Sequence, residues 1–223
     1  MRQRIWQLLS AILIVLLPVN LYIIFFYAPV ERTMGIVQKV FYYHVASAWI
    51  GLLAFCVVFA ASIAYLWKRS EGVNLLALAS AEIGTVFISG TLLTGPLWAY
   101  PIWNTWWTWD PRLTTTLVLW FMYVAYMVLQ SGGETEAKKR FAAIYGIVAF
   151  VNVPLVFFSA RWWRSIHPIV VSSEGVALDA RMKVALFASL GVFSLLYIYL
   201  LPLRMKSLEL KARVRQLKSE VLP

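Results

Sequence analysis

A chain of 223 residues that is 61% hydrophobic and 13% charged, with a mean hydropathy of +0.74, is too uniformly apolar for a water-exposed globular domain and reads as an integral membrane protein. Its net charge of +10 does not indicate nucleic-acid binding, because the cations sit in short clusters beside apolar runs and form no stripe of phosphate- or base-reading residues. The single cysteine, Cys56, lies inside an apolar run, which excludes an intrachain disulfide, a Cys-x-x-Cys redox pair and a thioether-attached c-type haem.

The first apolar run, 5–27, follows Arg2 and Arg4 as in a signal peptide. It is longer than a signal-peptide core and lacks a small-residue cleavage site, so a retained first span is expected. Five further runs follow at 40–67, 75–97, 113–129, 141–158 and 184–203, close to the roughly 20 residues a helix needs to cross a bilayer. Lipid satisfies no backbone polar group, and the runs lack the alternation of a membrane barrel, so the expected fold is all-α, a bundle of six transmembrane helices. Within it, Glu82 is the clearest ionisable residue inside a span and is expected to make a helix contact or a partner interface; Asn152 and Pro154 are expected to shape span five. Residues 1–203 form one membrane domain. Residues 204–223, with Leu210, Val214, Leu217 and Val221 amid Lys and Arg, form a basic amphipathic tail suited to lipid or to a cytoplasmic subunit.

The loops set the orientation. With a cytoplasmic N-terminus, thirteen of the twenty Lys and Arg residues lie inside and seven outside (Arg32, Lys39, Arg112, Arg161, Arg164, Arg181 and Lys183). Positive loops stay in the cytoplasm, so both termini are expected there.

Three features then meet at the outer face. Five tryptophans fall within twelve residues (Trp98, Trp103, Trp106, Trp107 and Trp109) in the break between spans three and four, followed by Asp110, Pro111 and Arg112. Only two histidines exist, His44 near the start of span two and His167 between spans five and six, with Trp162 and Trp163 shortly before the latter. Two imidazoles on separate elements suit an iron held above and below a macrocycle, whereas zinc would want a third or fourth ligand that the outer side lacks. Taken singly, each histidine also reads as an interfacial residue bonded to a neighbouring carbonyl.

Indoles gather at membrane interfaces as belts, the role expected of Trp6, Trp67 and Trp120. A belt takes one or two residues per helix end. The five-tryptophan run with Trp162 and Trp163 exceeds that, and indole faces pack well against an extended π system and exclude water from it. Asp110 before Pro111 also reads as the N-cap and first residue of span four, so capping and shaping of the loop both stand for Asp110. Lys39, Arg112, Arg161 and Arg164 suit haem propionates, with snorkelling to lipid phosphate as the alternative.

The segment from Trp103 through Asn104, Thr105, Trp106, Trp107, Thr108 and Trp109 to Asp110 resembles the Trp-Gly-x-x-Trp-x-Trp-Asp signature of the tryptophan-rich haem-handling membrane proteins. With six spans and the two flanking histidines, the chain resembles the heme exporter protein C (CcmC) family of c-type cytochrome maturation over nearly its whole length. The resemblance implies that His44 and His167 match the family's two axial ligands to haem b and that Lys39 stands where relatives often carry Arg. It further implies an inner-membrane, multi-pass protein whose outward-facing site holds haem and delivers it to the periplasmic chaperone CcmE. The implied co-workers are the ABC transporter subunits CcmA and CcmB and the small membrane protein CcmD. No catalytic nucleophile is required. Asn104 replaces the motif's Gly; if a positive φ is needed there, Asn is the best substitute.

Three rivals have distinct signatures. A haem-translocating permease should carry polar residues through the bilayer depth, and the spans show few besides Glu82 and Asn152. An electron-transfer cytochrome b would place ligand pairs deep in its helices. A purely structural subunit would use its tryptophans only as a belt.

Overall fold

The computed structural model describes residues 2–131, 135–163, 165, 167, 171–172, 175–176 and 178–221. Six helical segments are long and apolar enough to cross a membrane: Arg4–Tyr27, Gln38–Lys68, Glu71–Trp103, Pro111–Ser131, Glu136–Trp162 and Ala180–Lys218. They comprise α1 (Arg2–Tyr22) with a π-helical turn at Ile23–Tyr27, α2 (Gln38–Lys68), α3 (Glu71–Trp103), α4 (Pro111–Ser131), α5 (Glu136–Phe150), α6 (Asn152–Trp162) and α7 (Ala180–Val221). Apart from an isolated antiparallel bridge between Glu31 and Gly35, the strand pairing among the described residues is a two-residue hairpin before α7, β1 (Val171–Ser172) against β2 (Gly175–Val176). The chain is therefore all-α in architecture and a multi-pass membrane protein.

The centre is the antiparallel pair α2 and α3, which turns tightly at Arg69, a residue in the left-handed region with φ 50°. The two backbones approach closely because glycine stands at the crossing. A β-carbon on Gly51 would lie 2.5 Å from Ile88 Cδ1, and one on Gly84 would lie 2.7 Å from Phe55 Cε1. On one side α4 packs against α3, α5 against α2 and α6 against α4; on the other, α7 covers both central helices and carries α1. Phe55 and Tyr123 stack at 3.4 Å in the first interface, and Ser80 Oγ donates to the Ala54 carbonyl at 2.8 Å while bonding Tyr197 of α7 at 2.7 Å in the second.

Span five breaks between α5 and α6 at Val151, three residues before Pro154, which has no N–H to donate to the Phe150 carbonyl. There the Asn152 amide donates to the Thr115 carbonyl of α4 at 3.0 Å, so both residues shape this span. Glu82 makes the expected helix contact: Arg204 Nε and Nη2 donate to its two oxygens at 2.5 and 2.8 Å, tying α3 to α7. No break in α7 marks the start of the tail at residue 204.

Two expectations change. Trp120 is not a belt residue: it is half-buried midway along α4 and donates from Nε1 to Ser89 Oγ of α3 at 2.7 Å. The tryptophan run does not lie wholly in a loop either. Helix α3 continues through Pro96 and Pro101 to Trp103, so Trp98 and Trp103 are helical, as prolines in a membrane helix permit when neighbouring helices pack around the freed carbonyls.

Candidate functional site

The site lies where α2, α4 and α7 begin and α3 and α6 end. His44 projects from α2 about two turns after its start, and its Nδ1 lies 3.1 Å from Thr94 Oγ1 on α3. The Thr94 hydroxyl donates to the Gly90 carbonyl at 2.7 Å, so toward His44 it acts as acceptor and Nδ1 carries the ring proton. Nε2 is then left with a free lone pair, the state a metal-ligating imidazole needs. The next residue, Gly95, lets α3 pass close: a β-carbon there would touch His44 Cε1 at 3.4 Å. Thr94 escaped the sequence reading, because a threonine near a helix end carries no signal of a partner fifty residues away.

His167 arrives from the connection after α6. Its ring centroid is 6.3 Å from that of His44, with the planes inclined by 30°, and 6.3 Å from that of Trp98. Arg112 Nη1 meets its Nδ1 at 3.4 Å, and its backbone N–H donates to Ser165 Oγ at 3.0 Å. Both histidines are partly buried.

Trp98 is buried and packs edge-on against Trp103 at 5.2 Å, and its Nε1 has no hydrogen-bond partner among the described residues. Asn104 ends α3 in the left-handed region at φ 51°, its N–H donating to the Tyr100 carbonyl at 2.9 Å. This is the positive φ for which the motif's glycine is suited and which asparagine tolerates. Trp106 stacks on Tyr100 at 4.2 Å, and Trp107 meets Trp109 edge-on at 5.9 Å. Trp109 stays 76% exposed, so none of the described residues covers this edge of the platform. Asp110 caps α4: its Oδ1 accepts from the Arg112 N–H at 2.9 Å and its carbonyl from the Thr114 N–H at 2.9 Å. Arg112, in the first turn behind this cap, is the residue that reaches His167.

The other residues expected here are less tightly grouped. Trp162 and Trp163 are both exposed at the end of α6, Trp162 stacking on Phe158 at 4.9 Å. Arg161 lies over the Phe157 ring at 4.9 Å on the same helix. Lys39 is buried, and its Nζ donates to the Ala28 carbonyl at 2.5 Å, closing the π-helical end of span one onto α2. Arg164 lies outside the described residues. No group of three or more metal-ligating side chains occurs among the described residues.

Two imidazoles, a buried indole, an exposed indole rim and a guanidinium thus converge at one end of the bundle. The family model for heme exporter protein C matches residues 1–220. Heme exporter protein C of Bradyrhizobium diazoefficiens is 34% identical over 218 residues, 96% of this chain and 82% of that one. The protein of the same name from Escherichia coli strain K12 is 35% identical over 195 residues, 86% and 78% respectively, and that of Rhodobacter capsulatus 32% identical over 203 residues, 87% and 81%. With a match over nearly the whole chain, this protein belongs to the heme exporter protein C family.

Proposed function

We propose that this chain handles haem during c-type cytochrome biogenesis, holding haem b between His44 and His167 over the tryptophan platform and passing it to the periplasmic chaperone CcmE. Haem here is cargo, and the protein's work is binding, orientation and release rather than catalysis. The reading places the protein in the inner membrane with this end of the bundle toward the periplasm. Its co-workers would be the transporter subunits CcmA and CcmB and the small membrane protein CcmD.

The observation that carries this reading is the separation of the two rings. Imidazole–metal bonds of about 2 Å each, with half a ring at either end, give a centroid distance of about 6 Å, and the rings stand 6.3 Å apart. His44 is held with Nε2 available, and among the described residues no third metal-ligating side chain joins the pair, which suits an iron whose other positions a porphyrin fills. The exposed faces of Trp106 and Trp109 offer the flat apolar surface that a porphyrin edge would cover. Arg112, which donates toward His167 in this structure, is the cation best placed for a propionate.

The test is the absorption spectrum of protein purified from haem-replete cells with its partners, beside His44→Ala and His167→Ala. Bis-histidine bands in the wild type, altered in both variants with some haem retained, are expected. A wild-type protein without haem in either redox state overturns the proposal.

A further inference from the structure

Helix α7 runs 42 residues from Ala180. At 1.5 Å per residue this is about 63 Å, twice the roughly 30 Å of bilayer hydrocarbon. Its last part therefore stands clear of the membrane, at the end of the bundle away from the histidines. The helix runs unbroken past Pro202, and the bidentate Arg204–Glu82 pair holds it against α3 where it leaves the bundle. The tail accordingly projects away from the bilayer rather than folding down onto it.

Leu203, Leu210, Val214 and Leu217 recur at the d, d, a and d places of a heptad, Ser207 taking the intervening a place. Leu203 is 44% exposed, Leu210 and Val214 50%, and Leu217 60%, so none of the described residues covers this stripe. Every flanking e and g place between 204 and 218 is a cation: Arg204, Lys211 and Lys218 on one edge, Lys206 and Arg213 on the other. The one carboxylate of this stretch, Glu209, sits outside the seam and bonds Lys206 at 3.1 Å and Arg213 at 2.6 Å. At the root of the stripe, Trp6 and Ser10 of α1 and Tyr199, Leu203, Lys206 and Glu209 of α7 line an open groove, so stripe and groove are continuous.

A Val-and-Leu seam would suit a two-stranded coiled coil, but not one with a second copy. In a parallel pair Lys206 would face Lys211 and Arg213 would face Lys218; in an antiparallel pair cationic edges would again meet. We propose that the exposed stripe of α7 is a docking site for an amphipathic helix of a partner protein. That helix carries an aliphatic seam and Asp or Glu at the flanking places opposite Lys206, Lys211, Arg213 and Lys218.

The full chain in nanodiscs, with two synthetic heptad peptides as probes, tests this. Both peptides have Val at a and Leu at d; one has Glu and the other Lys at every e and g place. The acidic peptide should bind at least about tenfold more tightly. The combined charge reversal K206E/K211E/R213E/K218E should invert that preference, and Leu210→Asp with Val214→Asp should abolish binding of both, with the thermal unfolding of the bundle unchanged. A spin label at Val214→Cys, in a Cys56→Ser background, should report water in nanodiscs containing anionic lipid. Equal binding of the two peptides, a label buried in lipid, or a disulfide between two copies at position 214 would each overturn the proposal.

Discussion

Thr94→Val keeps the shape of the side chain and removes one hydroxyl. That hydroxyl receives the Nδ1–H of His44 at 3.1 Å while donating to the Gly90 carbonyl at 2.7 Å, so its loss leaves the Thr91 backbone as the remaining hold on the imidazole and loosens the ring. A neutral hydrogen bond contributes about 1 kcal/mol net. Partners that orient a metal-bound histidine typically alter metal affinity by about 10–100-fold, or about 1.4–2.7 kcal/mol at 1.4 kcal/mol per decade. The Thr94 bond is neutral and part-buried, and the Thr91 backbone also bonds the His44 ring, which puts the expected loss at the lower end, about tenfold. The hydrogen bond also makes the imidazole a stronger donor to ferric iron, so its removal should raise the midpoint potential. Titrating haem into haem-depleted protein, followed by a redox titration, reads both quantities. Thr94→Ser restores the hydroxyl and should restore both. A Thr94→Val protein of wild-type affinity and potential would refute Thr94 as the residue that orients His44 for ligation.

Replacing Trp107 and Trp109 together by Ala should lower haem retention while leaving the coordination bands of the remaining haem near normal; because Trp109 is 76% exposed, protein level should not fall. Normal haem content and normal transfer to the chaperone in that variant would return these residues to the interfacial belt. Gly84→Ala would place a β-carbon 2.7 Å from Phe55 Cε1 and 2.9 Å from Ala54 Cβ, and Phe55 is itself pinned on Tyr123. A stability loss of about 1–3 kcal/mol, typical of overpacking, is expected in detergent unfolding, and an unchanged transition would contradict the close α2–α3 crossing. Topology reporters after Lys68, at Thr135 and at the C-terminus should read cytoplasm, and one at Ser172 the outside; an external C-terminus would reverse the site's orientation.

The spans were legible because a bilayer imposes both length and apolarity on each helix, and the N-cap at Asp110 and left-handed turn at Asn104 because each depends on a few neighbouring residues. Helix ends and partners were not legible. The 75–97 apolar run ends where indoles and two prolines begin, yet packing against α2, α7 and the end of span one carries α3 on to Trp103 and makes Trp98 a buried helical residue. Lys39 reads as an outward cation, but its ammonium reaches a carbonyl eleven residues back, a contact set by the angle between span one and α2. Trp120 and Ser89 meet through the register of α4 on α3, which no local spacing encodes. Glu82 was legible as a contact because an acid within a span needs a partner, though its identity as Arg204 depends on how α7 lies against α3.

The two histidines share a face but not a preparation, and this predicts which one dominates affinity. His44 sits on a central helix of the bundle, fixed by Thr94 and hemmed by Gly95, with Nε2 unprotonated. His167 sits in a connection, and Arg112, which has only donors, meets its Nδ1 as acceptor at 3.4 Å. A neutral ring whose Nδ1 accepts carries its proton on Nε2, so ligation through either nitrogen requires Arg112 to move or the proton to shift. Part of the bond made by His167 therefore goes into that rearrangement, whereas His44 needs none. Haem affinity should accordingly fall further in His44→Ala than in His167→Ala, and Arg112→Gln, which weakens the donor facing His167, should bring it no benefit if Arg112 is also the propionate partner. Titration of haem into the three depleted variants decides the matter: a larger loss in His167→Ala would place the fixed ligand on the connection and refute the asymmetry.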